Sequence, residues 1–464
     1  MENTPLIQIL RAFPAPLLRG LDKYLRSPYL VTHAGTVQLY EYLRKALSQN
    51  NRPPLRKADV AEALGVEPAR LAHLSSYLLE SVERFLALEA WQEQPAAGHL
   101  LTVAQLRRLR LDDAAAAMLR YTTRRLEAEG SRGASYQRLQ YEIQLETLQL
   151  SQQQGRARAL PLQDLSDALD IAFICEKLRT GCLLSSHQAV ARKAYDQGLL
   201  APVLQFLDHH RYLEIPVVAA FYHGYFAQLG EAGSDDHFRR LKTVLQEHGA
   251  RFSLAETHDL YLLAINFCIR RINQSEEQYF RDVFDLYQSG LRHGALLEDG
   301  QLSRWTYTNI ALTALRLREF EWVKQFLEAY APMLPAGHRE GAFHFNMARY
   351  HYDLGRHRDA MQHLLQMHYD DVLHNLAAKT LLCIIYYELD EFDALENQLD
   401  SLGVFLRRKK VLGYHRVNYS SFISLMRRLT ALRFNDARAV AALKVQVEAV
   451  PHLPERDWFL RQLR

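Results

Sequence analysis

Residues 347–365 read MARYHYDLGRHRDAMQHLL, and their spacing decides the fold. A helical run ends at Gly355, the residue type that enters a left-handed turn without steric cost, and a second run starts just beyond it. Ala348, seven residues before the glycine, is small enough to let one helix approach the other. Leu364, seven residues past His357, packs the second helix back on the first. The same frame returns on both sides. Upstream it is Ala311, Arg318-Glu319-Phe320 and Leu327; downstream it is Cys383, Asp390-Glu391-Phe392 and Leu399. The offsets are 37 and 35 residues, so residues 303–402 hold three helix–turn–helix units, with a ring at each turn expected to plug the space between the pair.

This unit resembles the tetratricopeptide repeat, a helical hairpin of 34 residues that stacks on its neighbours. Val323 and Leu395 stand where the repeat keeps the alanine seen here at Ala360, and Arg318 and Asp390 stand where it keeps glycine. The resemblance implies an all-α fold, a right-handed α-solenoid of tetratricopeptide-like hairpins following an N-terminal helical domain. It also implies a concave face lined by first-helix residues that do not pack on the second helix. Carried over by position, these are Asn309, Arg316, Asn346, Arg349, Tyr352 and Tyr387.

The rest of the chain agrees with this class. Of 464 residues, 48% are hydrophobic and 23% charged, a globular composition rich in helix formers, with little of the alternating Val, Ile and Thr that marks strands. Pro53-Pro54 and the stretch Gln94 to His99 punctuate the chain, giving expected regions at 1–93, 100–302 and 303–464. Two helical patterns precede residue 50, and longer helices are expected from Thr102 to Glu129 and from Ala134 to Gln154. The N-terminal Tyr24-Leu25-Arg26-Ser27-Pro28-Tyr29, with Ser76-Tyr77-Leu78-Leu79 and Glu83-Arg84-Phe85-Leu86, is similar to a group of uncharacterised bacterial helical-repeat proteins, a likeness that implies no activity.

Several classes are disfavoured. The N-terminus does not read as a signal peptide, and the longest uncharged apolar run, Ile215 to Leu229, is short for a bilayer span and contains His223. Cys175, Cys182, Cys268 and Cys383 form no CxxC and read as reduced, buried thiols of a cytoplasmic protein. Nucleotide-binding loops, a GxSxG elbow, HExxH and EF-hand loops do not occur, so neither an enzyme nor a cofactor is expected. Histidines crowd one stretch (His338, His344, His351, His357, His363, His368, His374), at spacings that do not make a helical zinc pair, so they read as core and surface residues.

Two segments suggest nucleic acid as a partner. Lys57 to Ser76 has the spacing of a helix-turn-helix: Ala61 would pack between the helices, Gly65 would make the turn, and Val60, Leu64, Val66, Leu71 and Leu74 would form its core. Arg70, His73, Ser75 and Ser76 would be its DNA-facing residues. From Val404 onward the chain carries a local charge of +9, concentrated in Arg407, Arg408, Lys409, Lys410, Arg427 and Arg428, with Tyr414, Tyr419 and Phe422 interleaved. That combination could grip a polyanion such as RNA, although the aromatic and leucine spacing fits a core equally well. The leading expectation is a non-enzymatic scaffold or adaptor that binds a protein or peptide on the repeat surface, without a membrane anchor. A DNA-binding regulator and an RNA-binding protein are the alternatives.

Overall fold

The computed structural model describes residues 1–48, 54–153, 160–191, 193–367, 372–408, 413–432, 436–450 and 452–464. Among these residues it is all-α, with 23 α-helices and one two-residue ladder, Leu297–Glu298 paired antiparallel with Gln301–Leu302. The ladder turns at Asp299-Gly300, both left-handed (φ 50° and 76°), as a two-residue hairpin requires. No helix among the described residues is long and apolar enough to cross a membrane. The apolar run of 215–229 becomes the helix Pro216–Leu229, buried on nearly all sides, with proline in its first turn and Gly230 (φ 70°) at its end.

The chain divides into two compact units: residues 1–131 with 135–172, and residues 132–134 with 173–464. The division falls inside the helix Leu162–Ala191, within the region expected as 100–302. In the first unit, helices Pro5–Ala12, Ala15–Leu25, Ala34–Leu47, Lys57–Ala63 and Pro68–Gln92 enclose Ile7, Leu21, Tyr40, Val60, Leu78 and Phe85. Three helices therefore precede residue 50, where two were legible. The Gln94–His99 stretch starts a helix rather than a loop, because Pro95 sits in the first turn, where a missing N–H breaks no bond. The helix expected over 102–129 is two, Pro95–Arg108 and Asp112–Ala128: Arg110 turns left-handed (φ 62°) and the Leu111 N–H bonds back to the Leu106 carbonyl.

The second unit is built of helical hairpins. Helices pair in order as Pro216–Leu229 with Ser234–His248, Leu254–Asn273 with Tyr279–Arg292, and Arg304–Arg316 with Phe320–Tyr330. Ala336–Asp353 then pairs with His357–Leu365, and Val372–Glu388 with Phe392–Arg408. The first helix of a hairpin also packs on the first helix of the next at 216–229 with 254–273, 304–316 with 336–353, and 336–353 with 372–388. Ala311, Ala348 and Cys383 are fully buried, as are Leu327, Leu364 and Leu399, so both conserved offsets mark the helix–helix seam. The ring at the third turn is not a plug, however: Phe392 is 47% exposed, whereas Phe320 and His357 are half-buried, and Val323, Ala360 and Leu395 are buried just beyond the turns.

All three turns adopt one conformation: Arg318, Gly355 and Asp390 have φ of 60°, 72° and 59°. The Glu319, Arg356 and Glu391 N–H groups bond back to the carbonyls of Ala314, His351 and Tyr386. Non-glycine residues pay strain in this region, about 1–2 kcal/mol, partly offset by the lower entropy of their unfolded chains. Arg318→Gly and Asp390→Gly are therefore each expected to stabilise the protein by about 0.5–1 kcal/mol, read as a rise in the urea midpoint.

Candidate functional site

The inner residues of three first helices and the C-terminal helix Arg456–Gln462 frame a cleft of about 970 Å³ in the second unit. Leu312, Leu315 and Arg316 come from helix 304–316, and Arg349, Tyr352 and Asp353 from helix 336–353. Ile272, Ser275, Glu277 and Phe280 form one end; Glu455, Asp457, Trp458 and Arg461 form the opposite wall. Of the six residues expected on the concave face, Arg316, Arg349 and Tyr352 thus meet in one place. Four guanidinium groups (Arg316, Arg318, Arg349, Arg461) face four carboxylates (Glu277, Asp353, Glu455, Asp457) around the lining.

The charges are not equally committed. Arg349 is largely buried, with 17% of its side chain exposed, and donates from Nη1 to Glu455 at 2.6 Å. Burial alone would lower its pKa, but Glu455 and Asp353 reverse that, leaving a permanent cation. Its Nε is enclosed without a hydrogen-bond partner among the described residues. Burial also raises the Asp353 carboxyl, against the pull of Arg349. Arg316 bonds Glu277 at 2.9 Å, lies 3.8 Å from Asp457 and sits over the Phe280 ring. Arg318 and Arg461, by contrast, are exposed, and their side chains make no hydrogen bond or ion pair among the described residues. Neither stands out in the sequence, where Arg318 marks only a turn and Arg461 only adds to the C-terminal charge.

The wall beside Tyr352 is built by a contact far apart in sequence. Glu388 accepts through Oε1 from the Tyr352 hydroxyl (2.8 Å) and the Trp458 indole N–H (2.7 Å), and its Oε2 lies 3.5 Å from His357. Burial and this carboxylate push the Tyr352 phenol well above its ordinary pKa, so it stays a neutral donor. Trp458 packs edge-on against Tyr387 at 5.3 Å. Tyr387 therefore belongs to the seat of the C-terminal helix rather than to open surface. Three residues with strained left-handed backbone, Ser275, Arg318 and Glu455 (φ 70°, 60° and 54°), also line the cleft.

The other expected groove residues lie elsewhere. Asn346 is fully buried, donating to Thr308 Oγ1 at 3.0 Å and to the Ala342 carbonyl at 2.8 Å, so it holds neighbouring first helices together and cannot reach a ligand. Asn309 is exposed but outside the cleft lining.

The nucleic-acid candidates fare differently. Helix Lys57–Ala63, the Gly65 turn (φ 66°) and helix Pro68–Gln92 do form the expected local motif, with Val60, Ala61, Leu71 and Leu74 buried. On its outer side Arg70 and His73 are exposed, while the Ser75 and Ser76 hydroxyls bond back to the Leu71 and Ala72 carbonyls. Both serines border a small apolar pocket shared with Met1, Pro5 and Leu79. In the basic C-terminal region Arg407 and Arg408 are exposed, and Lys409 and Lys410 lie outside the described residues. Arg427 is taken by Glu396 and Asp400, and Arg428 donates to Gln446. Phe422 is fully buried and Tyr419 packs against the same core, which removes both from any stacking role.

The four cysteines are buried, and burial raises each thiol pKa. Among the described residues no group of three or more potential ligands is placed to hold a metal ion. Comparison with models of known families and with curated protein sequences returns no match, so the functional reading rests on this chain's own residues.

Proposed function

We propose that the protein is a non-enzymatic scaffold or adaptor, that its second unit is a right-handed α-solenoid of tetratricopeptide-like hairpins, and that the cleft framed by Arg316, Arg349 and Tyr352 binds a segment of a partner protein. The observation that carries this is the convergence of those residues, Arg316 from the end of helix 304–316 and Arg349 and Tyr352 from helix 336–353, on one cleft of about 970 Å³. A cleft of this size and polarity suits a peptide segment. Phe280, Leu312 and Phe320 offer apolar contact, while Arg318 and Arg461 keep free donors for a carboxylate or carbonyl. Arg349 and Tyr352 have a double duty: they fix the C-terminal helix and, through it, the width of the cleft.

This division of roles decides which variants test the reading. Replacing Arg349 or Tyr352 would loosen the wall and confound binding with folding. Arg318→Glu with Arg461→Glu reverses two exposed charges whose side chains make no hydrogen bond or ion pair among the described residues, Arg461 acting only at longer range on Asp353. The double variant is expected to keep the wild-type unfolding midpoint and to weaken capture of a protein partner by at least about tenfold, measured by affinity purification with quantitative readout. Unchanged capture by a folded double variant would remove the cleft as the binding site.

A further inference from the structure

Two of the hairpins contain the same unusual contact. In the hairpin of 216–229 and 234–248, His223 and His237 face each other with Nδ1 atoms 2.9 Å apart. In the hairpin of 336–353 and 357–365, His344 and His363 do so at 3.0 Å. Each pair joins the first helix of its hairpin to the second. A contact between two imidazole Nδ1 atoms needs one N–H and one lone pair, so it is satisfied only while the two rings share a single proton there. Charging one ring sets an imidazolium against the apolar seam; charging both sets two N–H groups and two positive charges face to face.

The surroundings give little relief. His223 is buried, with the Tyr222 ring edge-on to it, and His237 is stacked on Phe226 at 4.8 Å. The charges bearing on this pair are Arg240 and Asp236 of the second helix, and Asp208 is held by the Tyr222 hydroxyl. Around the other pair, His351 stacks parallel on His363 at 5.3 Å, with Asp359 3.8 Å from its Nδ1. Glu340 on the first helix, Arg356 at the turn and Lys324 from helix 320–330 complete the set. Asp359 and Glu340 favour protonation, Arg356 and Lys324 oppose it, and burial opposes it most.

We propose that the His223–His237 and His344–His363 pairs are proton-operated latches, each holding its hairpin closed near neutral pH and releasing it on acidification. Burial, reinforced by His237 and Arg240, pushes His223 from the ordinary 6.5 down to about 4, and His237, His344 and His363 are lowered as well, burial again the main cause. The sign follows directly. Below about pH 6.5 the unfolded or opened chain takes protons that the closed hairpin refuses, so the latch contributes fully above that pH and is lost as pH falls toward 4.

Hydrogen exchange on the full chain, compared at about pH 7.5 and about pH 5 after correction for intrinsic rates, tests this hairpin by hairpin. Peptides from 216–248 and 336–365 are expected to lose protection by at least about tenfold, while the hairpin 254–292, which has no such histidine pair, keeps its own. His237→Gln and His363→Gln keep a hydrogen-bonding side chain that does not titrate, and each is expected to reduce the loss in its own hairpin alone, the remaining ring, His223 or His344, still being held neutral by burial. An equal loss in all three hairpins, no loss in the latched two, or a loss unchanged in the glutamine variants would overturn the proposal.

Discussion

Replacing Trp458 with alanine is expected to lower the stability of the second unit by about 3–5 kcal/mol, the range for deleting a large buried aromatic. Trp458 is 1% exposed and belongs to the core that joins helices 372–388, 392–408, 413–430 and 437–449 to the C-terminal helix. Alanine would remove its packing on Tyr387 and Phe459 and the indole N–H that Glu388 accepts, leaving that carboxylate with the Tyr352 hydroxyl and His357. Trp458→Phe keeps a ring without the N–H and should cost less, about 1–3 kcal/mol. Urea unfolding checks both, and a loss below about 1 kcal/mol for the alanine variant would mean that the helix is not seated as described.

The second large effect concerns a buried carboxylate. Glu256, 1% exposed, accepts from the Ser253 N–H (2.9 Å), the Ser253 hydroxyl (2.8 Å) and the Ala134 N–H (2.5 Å), while Ser253 accepts from the Glu256 N–H to complete a capping box on helix 254–273. Glu256→Ala strands those donors in the interior, and a loss of about 2–4 kcal/mol is expected from the unpaired groups and the missing cap. Gly133→Ala reaches the same carboxylate from the other side. A methyl group there would collide with Glu256 Oε2, and the side chain cannot swing away without giving up its hydrogen bonds. The two variants should therefore destabilise to a similar degree and, when combined, by less than their sum. Full additivity in denaturation experiments would show that they act on separate features.

The hairpins of residues 303–402 were legible because their signals are local: a small residue, a turn and a leucine at fixed offsets. Even Arg318 and Asp390, which break the glycine rule, keep the left-handed turn, since the buried seams at Ala311, Cys383, Leu327 and Leu399 determine where the chain reverses. Arg110 shows the opposite case. A left-handed arginine carries no sequence mark, so one uninterrupted helix was the natural reading of a chain that breaks there. The candidate site was half legible for a related reason. Position within the repeat places Arg316, Arg349 and Tyr352 on an open side, but it cannot foresee that Asn346 turns inward to Thr308. Nor can it foresee that Trp458, 70 residues beyond Glu388, closes over Tyr387. Contacts of that separation depend on the stacking of several hairpins, which periodicity does not encode.

Docking of a protein segment in the cleft, as proposed, can be read by site-specific photocrosslinking. A benzophenone amino acid is placed at Phe320 or Arg461 within the lining, and for comparison at the exposed Arg70 and Arg408. After illumination in cells and nuclease digestion, a discrete protein adduct is expected from positions 320 and 461 and none from 70 or 408. Adducts confined to positions 70 or 408, or composed of nucleic acid, would contradict it.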